Sequence, residues 1–495
     1  MTKISACKMA AAFFLLCVAT AVDSPAQTFT NLFTFDRTNG WEPVAPLTQG
    51  IDGNFYGVTA EGGSGSNPVG TVFKVTPAGH LTSLYNFCSQ SNCADGASPE
   101  SALLLATDGN FYGTASEAGG NIVGGTVYKI TSLGKLTTLY SFCAEDNCTD
   151  GASPQGGVVE GVDGNFYGTT RDGGNGPLCI SNGYCGNVFK MTPSGAVTTI
   201  YNFCSLPNCT DGLLPTTPLV QGTDGNLYGA TSQFDTFPAT IFKITTSGKL
   251  TTLYTFCEQQ GCTNGDAANA LLLGTDGNFY GITSRGGASG PNGLGTVFKM
   301  TPGGTLTTLY SFCSLPSCLD GADPGGGLVE GTDGNFYGTT SEGGQYGSGT
   351  LGGTIFKITP QGTITTLYSF CAQQPNCADG TDPFGPPTQG TDGNFYGTTS
   401  GGNVGSGTIY KLATGLGPFI RFLPAGGKVG SEVGILGTNL TGATSVMFNG
   451  SSAKFSVPLP TLILTHVPTG AKSGMIKVTT PSGTLTSNVP FHVIP

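Results

Sequence analysis

The sequence predicts an all-β chain: a seven-bladed β-propeller of four-stranded antiparallel blades, followed by an Ig-like β-sandwich. Three observations carry this expectation. The hexapeptide Asp-Gly-Asn-Phe-Tyr-Gly begins at Asp52, Asp108, Asp163, Asp276, Asp333 and Asp392, and returns as Asp-Gly-Asn-Leu-Tyr-Gly from Asp224. Its spacing of about 57 residues lies in the range of propeller blades and solenoid coils. Each unit holds four short strand patterns, and the two ends of the repeat region are incomplete in complementary ways.

The second unit shows the pattern. Ser101 to Ala106 is a short apolar run suited to a buried strand. Asp108-Gly109 between two strand patterns predicts a two-residue type I′ hairpin turn, which needs positive φ. Asn110 to Ser116 is the second strand, Glu117 to Gly125 a Gly-rich loop, and Thr126 to Thr131 the third strand. A tight turn at Ser132 to Gly134, usually Thr-Pro-x-Gly elsewhere, leads to a fourth strand over Lys135 to Phe142, rich in Thr and aromatics. A loop with a Cys pair and an Asp-Gly then leads to the next unit.

A single sheet cannot bury both of its faces, whereas seven stacked around an axis can. A solenoid is the alternative, and the termini choose between them. The chain opens with an orphan fourth strand, Gln27 to Phe35, and the last unit stops after its third, Gly407 to Leu412. Together they complete a seventh blade and leave no open edge. The meander puts the Asp-Gly and Pro-x-Gly turns on one face, and the Gly-rich and Cys-bearing loops on the other. Variable residues gather on that second face, where binding usually lives: Glu117, Arg171, Asp172, Gln233, Phe234, Arg285, Glu342 and the Cys179/Cys185 insertion.

After a linker at Ala413 to Gly417, residues 418 to 495 drop the repeat and read as short alternating strands at sandwich spacing. The expected domains are thus a signal segment over 1–26, the propeller over 27–414 and the sandwich over 415–495.

Composition fits export. Lys3 and Lys8, the apolar run Ala10 to Ala21, and Ser24-Pro25-Ala26 read as a secretory signal cleaved after Ala26, or alternatively after Ala21. That run is too short to remain as a membrane helix, and no later stretch is apolar for long enough. The net charge of −11 argues against nucleic acid or an anionic membrane as partner. Fourteen of the 16 Cys follow the signal segment, as Cys88/Cys93, Cys143/Cys148, Cys179/Cys185, Cys204/Cys209, Cys257/Cys262, Cys313/Cys318 and Cys371/Cys377. Outside the cytosol such pairs mean disulfides. Zinc would need two pairs per site, and these lie a repeat apart without nearby His. Each bridge closes a loop of about six residues, worth roughly 2 kcal/mol at most.

The unit GTDGNFYGTTSEGG…GGTIFKITPQGTITTLYSF resembles the GloVer (choice-of-anchor) tandem-repeat family of exported bacterial proteins, over roughly Phe29 to Leu412. The resemblance implies a secreted or surface location and no established activity. The tail resembles an IPT/TIG domain through Pro424-x-x-Gly427, Gly437-Thr438-Asn439-Leu440, Val446-x-Phe448-Asn449-Gly450, Val467-Pro468 and Ser473-Gly474. Such modules are spacers or interaction domains.

Little catalytic chemistry stands out. A hairpin Asp offers one carboxylate where Ca²⁺ needs six to eight oxygens, so the Asp of each Asp-Gly-Asn reads as a turn residue. The recurring Tyr and the third-strand Lys, from Lys74 to Lys411, read as packing between blades or as snorkelling stems rather than as a site. On the innermost strand, shortly before the turn, stand Gln49, Leu105, Glu160, Gln221, Leu273, Glu330 and Gln389. Glu160 and Glu330 are the candidates for carboxylates acting across a central channel, as at glycosidic bonds. His80 sits in a tight turn, and His466 and His492 lie in the tail, so the loop face offers no Ser-His-Asp arrangement. The expected function is a non-catalytic, monomeric binding or cell-surface scaffold protein without cofactor or metal. It would meet a polysaccharide or envelope protein on its loop face. The alternative is a propeller-fold lyase or glycosidase.

Overall fold

The structure is a computed structural model. It describes residues 27–494 except 65–67, 121–123, 176–184, 233–236, 258–260, 289–292, 348–351 and 403–404. The expected signal segment, Cys179, Gln233 and Phe234 lie outside the described residues.

Strand dominates, and helix among the described residues is confined to short 3-10 turns such as Pro207–Cys209. The repeats form four-stranded antiparallel sheets resembling propeller blades. The first contains Thr48–Gln49, Phe55–Thr59, Thr71–Val75 and Leu81–Asn86, hydrogen-bonded in chain order. The next five span 104–141, 158–202, 220–255, 268–311 and 322–369 in the same order. The seventh has Thr388–Gln389, Phe395–Thr399 and Thr408–Ala413, and its outer strand is Thr28–Thr34 from the other end of the chain. Thr28 pairs with Ala413 and Phe29 with Leu412, antiparallel, as the complementary ends predict.

The hexapeptide explains how sheets meet. The Tyr of one unit stacks on the Phe of the next: Tyr56 on Phe111 at 4.1 Å, Tyr112 on Phe166, Tyr228 on Phe279, Tyr280 on Phe336 and Tyr337 on Phe395. Tyr167 meets Leu227, the one departure from Phe. The series returns to its start, because Tyr396 of sheet seven meets Phe55 of sheet one at 4.1 Å. A second series joins the end of each outer strand to the next sheet's third strand, as in Phe142 with Phe189 and Phe35 with Phe73. Each such pair adds about 0.5–1.5 kcal/mol beyond simple burial. The hexapeptide's last residue must be Gly for the same packing, since a Cβ at Gly168 would lie 2.5 Å from the ring of Phe189.

The Asp-Gly turn departs from expectation. In unit two Ala106 N–H donates to Asn110 O and Gly109 N–H donates to Ala106 O, which encloses three residues. Only Gly109 has positive φ, at 76°. This is a type I turn followed by a Gly bulge rather than a type I′ turn. The Asp108 side chain decides it by accepting the Asn110 N–H at 3.0 Å, so only the following residue turns left-handed.

Beyond the repeats the chain forms two further four-stranded sheets. One orders Arg421–Leu423, Glu432–Leu436, Leu462–His466 and Phe455–Leu459; the other orders Ser451–Ser452, Ser445–Phe448, Ile476–Thr480 and Gly483–Thr486. They enclose one core containing Ile435, Val446, Ile463, Ile476 and Phe491. This tail touches the tight-turn ends of sheets seven and one: Phe419 N–H donates to Thr391 O at 3.0 Å, and Thr461 Oγ1 to Ile51 O at 2.7 Å.

Candidate functional site

The two ends of the sheets differ in what they leave free. At the tight-turn end each unit satisfies itself. Asp163 accepts from Asn165 Nδ2 at 2.9 Å, Tyr167 Oη at 2.8 Å and Lys190 Nζ at 3.1 Å. Burial alone would raise this carboxyl, but those donors hold it at about 2. Asp224 and Asp276 are held at about 2 by the same partners in their own units. In these three units the Asp, Asn, Tyr and Lys are thus one hydrogen-bonded unit.

Glu160 and Glu330 also lie at this end. Glu160 accepts from the N–H and hydroxyl of Thr107 in the preceding sheet, at 2.9 and 2.5 Å. Glu330 does the same with Thr275, at 2.8 and 2.5 Å. Gln49, Gln221 and Gln389 accept from the equivalent N–H of Thr391, Val162 and Thr332. Charge is therefore optional among these five acceptors, each of which ties adjacent sheets together, while Leu105 and Leu273 hold the position in the other two units.

The long-loop end is built on cystine loops. Six bridges are described: Cys88–Cys93, Cys143–Cys148, Cys204–Cys209, Cys257–Cys262, Cys313–Cys318 and Cys371–Cys377. Cys185 is also disulfide-bonded. A buried Asp organises most of these loops. Asp320 accepts from Tyr310 Oη at 2.7 Å and from the N–H groups of Ser314 and Leu315 at 2.9 and 3.1 Å. Asp95, Asp150, Asp211 and Asp379 repeat this with Tyr85, Tyr140, Tyr201 and Tyr368. Where the sequence has Asn264, its amide donates to Tyr254 Oη instead.

Between the cystine loop and the next innermost strand, the residue before Pro adopts positive φ: 56° at Glu42, 53° at Ser98 and Ser153, 52° at Leu214 and Asp323, and 54° at Asp382. A non-Gly residue before Pro pays conformational strain there. The backbone fixes it: Asp382 N–H donates to Gly352 O, and Ser400 N–H donates to Asp382 O. This places the residue beside the end of the second strand, where Glu61, Glu117, Arg171, Arg285 and Glu342 stand.

Two arcs of charge result. In sheets one to three, Glu42 is pushed up by burial and by the charge of Glu61. Burial and Glu117 push Glu100 up, against the pull of Arg171. Burial raises Asp172 although Arg171 Nη1 lies 3.5 Å from its Oδ2. In sheets five to seven, burial raises Asp266 and Asp323 against the pull of Arg285. Glu342 rises through burial and the charge of Asp323. Asp382 is lifted by burial, and further by Glu342, to about 6 despite a hydrogen bond from Thr381. Carboxylates outnumber Arg171 and Arg285, so this end is acidic.

The structure thus brings Glu117, Arg171 and Asp172 into one arc and Arg285 and Glu342 into the other. Sequence reasoning missed Glu42, Glu61, Glu100, Asp266, Asp323 and Asp382. The available signal was the acid before Pro in Glu42-Pro43, Asp323-Pro324 and Asp382-Pro383. Among the described residues, no group of three or more His, Cys, Asp or Glu is placed to hold a metal ion. No described helix is long and apolar enough to cross a membrane.

A solved fungal alcohol oxidase of the AA5 family, in complex with copper, is 12% identical; the alignment covers 92% of this chain and 98% of that one, with a TM-score of 0.50. The extracellular domain of a hybrid two-component system protein from B. thetaiotaomicron is also 12% identical, with coverage of 95% and 60% and a TM-score of 0.48. The first likeness speaks for the propeller-like fold alone. No curated protein matches the sequence. The family model of the Gloeobacter/Verrucomicrobia repeat matches residues 18–239 and 181–410, and the chain belongs to that family.

Proposed function

We propose that this is an exported, non-catalytic binding or cell-surface scaffold protein that presents its long-loop face to a polysaccharide or protein partner. In this reading residues 1–26 are a signal peptide, 27–414 a closed seven-bladed propeller, and 415–495 an IPT/TIG-like Ig-fold module. The Tyr396–Phe55 contact and the Thr28–Thr34 strand in sheet seven support closure. The cystine bridges suit an oxidising compartment.

One observation carries the functional reading: the two ends of the sheets are unequal. Tight-turn carboxylates are consumed by their own units or, at Glu160 and Glu330, by the preceding sheet, and the tail covers part of that end. The long-loop end holds half-buried carboxylates interleaved with Arg171 and Arg285, on rigid, disulfide-stapled supports. That balance repels polyanions and suits a neutral or cationic partner, since carboxylates and guanidinium groups both hydrogen-bond sugar hydroxyls.

A glycan array with a turnover assay on the retained glycans tests this. Glu117→Gln/Arg171→Ala/Glu342→Gln should lose binding at least tenfold, whereas Glu160→Gln/Glu330→Gln should bind like the wild type, and neither protein should turn glycan over. Turnover that collapses in Glu160→Gln/Glu330→Gln would contradict the reading in favour of a lyase or glycosidase.

A further inference from the structure

The closed ring of the proposed reading has one vulnerable junction, between sheet seven and sheet one. There the outer strand comes from the N-terminal end, where strands fray most readily. Several contacts already stitch it. Thr388 Oγ1 donates to Leu47 O at 2.6 Å, Thr391 N–H donates to Gln49 Oε1 at 2.9 Å, and Trp41 Nε1 donates to Gly405 O at 2.5 Å.

The tail reaches both sides of this same junction. On sheet seven, Phe419 N–H donates to Thr391 O, Thr438 Oγ1 lies 2.9 Å from Thr391 Oγ1, and Arg421 Nη2 donates to Gln389 O at 2.5 Å. On sheet one, Thr461 Oγ1 donates to Ile51 O, a partner 410 residues earlier. Leu436 is only 6% exposed, yet it packs with Ile51, Tyr56, Leu105 and Phe111 of sheets one and two, not in the core of the tail's own sheets. The tail follows directly from Thr408–Ala413, so its contacts with sheet seven cost little ordering entropy. Its contacts with sheet one are the ones that join the two ends of the ring.

We propose that the C-terminal two-sheet unit is a built-in lock across the ring's closing junction, holding sheets seven and one together so that Thr28–Thr34 stays paired. The inference rests on the closed-ring reading above. Opening is then a local event that the lock suppresses.

Hydrogen exchange on the full chain tests it, comparing the wild type with Leu436→Glu/Thr461→Arg. Neither substituted side chain belongs to the tail's core, and each removes a contact to sheets one and two. The expected result is exchange at least tenfold faster at 28–34 and 408–413, with unchanged rates at 220–255 and at 476–480. Leu436→Met should keep wild-type rates throughout. Wild-type rates at 28–34 in the double variant, or equal acceleration everywhere, would overturn the lock. Amides at 28–34 that already exchange freely in the wild type would instead overturn the closed ring beneath it.

Discussion

Two kinds of residue depart from the economy of the repeat. Tyr128 and Tyr410 stand where other units have Phe73, Phe189, Phe242, Phe298 and Phe356. Both are fully buried, and neither hydroxyl has a hydrogen-bond partner among the described residues. An orphaned buried hydroxyl costs about 1–3 kcal/mol. Tyr128→Phe and Tyr410→Phe are each expected to raise the urea midpoint, by about 1 kcal/mol of stability; a lowered midpoint would contradict this. Asp382 is the second kind. Its folded pKa of about 6 exceeds the ordinary carboxyl value of 3.8. The native state therefore binds more protons between those values, and stability falls as pH rises through that window. Asp382→Asn should raise the melting temperature at pH 7.5 and leave it unchanged near pH 3.5, while weakening any partner binding. The same shift at both pH values would contradict the assignment. The sequence exposed the tyrosines and Asp382 as letters, but not their burial. Glu160 and Glu330 stood out in the sequence as channel carboxylates, but nothing in it showed that each accepts from a Thr of the preceding sheet.

At the scale of elements, strand positions were legible because each Phe-Tyr-Gly run and each Thr-rich, aromatic outer run is bounded by Gly-containing turns, although the Phe-Tyr-Gly strands are buried at every position, as in Phe55–Thr59, rather than on one face. The turn type was not, because Asp108-Gly109 is compatible with two hairpin geometries and the Asx hydrogen bond selects between them. The cystine loops were legible as disulfides, but their organising group was not. Asp320 is 1% exposed and accepts three hydrogen bonds, so removing it strands three donors. Asp320→Ala should cost about 3 kcal/mol or more, exceeding the roughly 2 kcal/mol expected for Cys313→Ser/Cys318→Ser. Denaturant titration of the two variants decides it; a larger loss from the cysteine pair would show that the covalent bridge, not the carboxylate, shapes the loop. The charged arcs escaped the sequence for a related reason. Asp323 and Arg285 come from different units, and only the left-handed residue before Pro324 brings them near one another.

For the whole molecule, the complementary ends were the decisive sequence feature, because a missing fourth strand and an orphan one have a single economical arrangement. The docking of the tail was not legible, since Leu436 and Thr461 carry no mark separating them from ordinary sandwich residues. Thr28–Thr34 completes the seventh sheet, and the closed ring and partner-facing end proposed above both depend on that pairing. Disulfide trapping tests this most directly. Thr28→Cys/Ala413→Cys places two thiols on paired residues. In the oxidised, folded protein, mass spectrometry should find a peptide linking positions 28 and 413 beside the native bridges. Native bridges formed normally while those two thiols stay unlinked would contradict the closed ring.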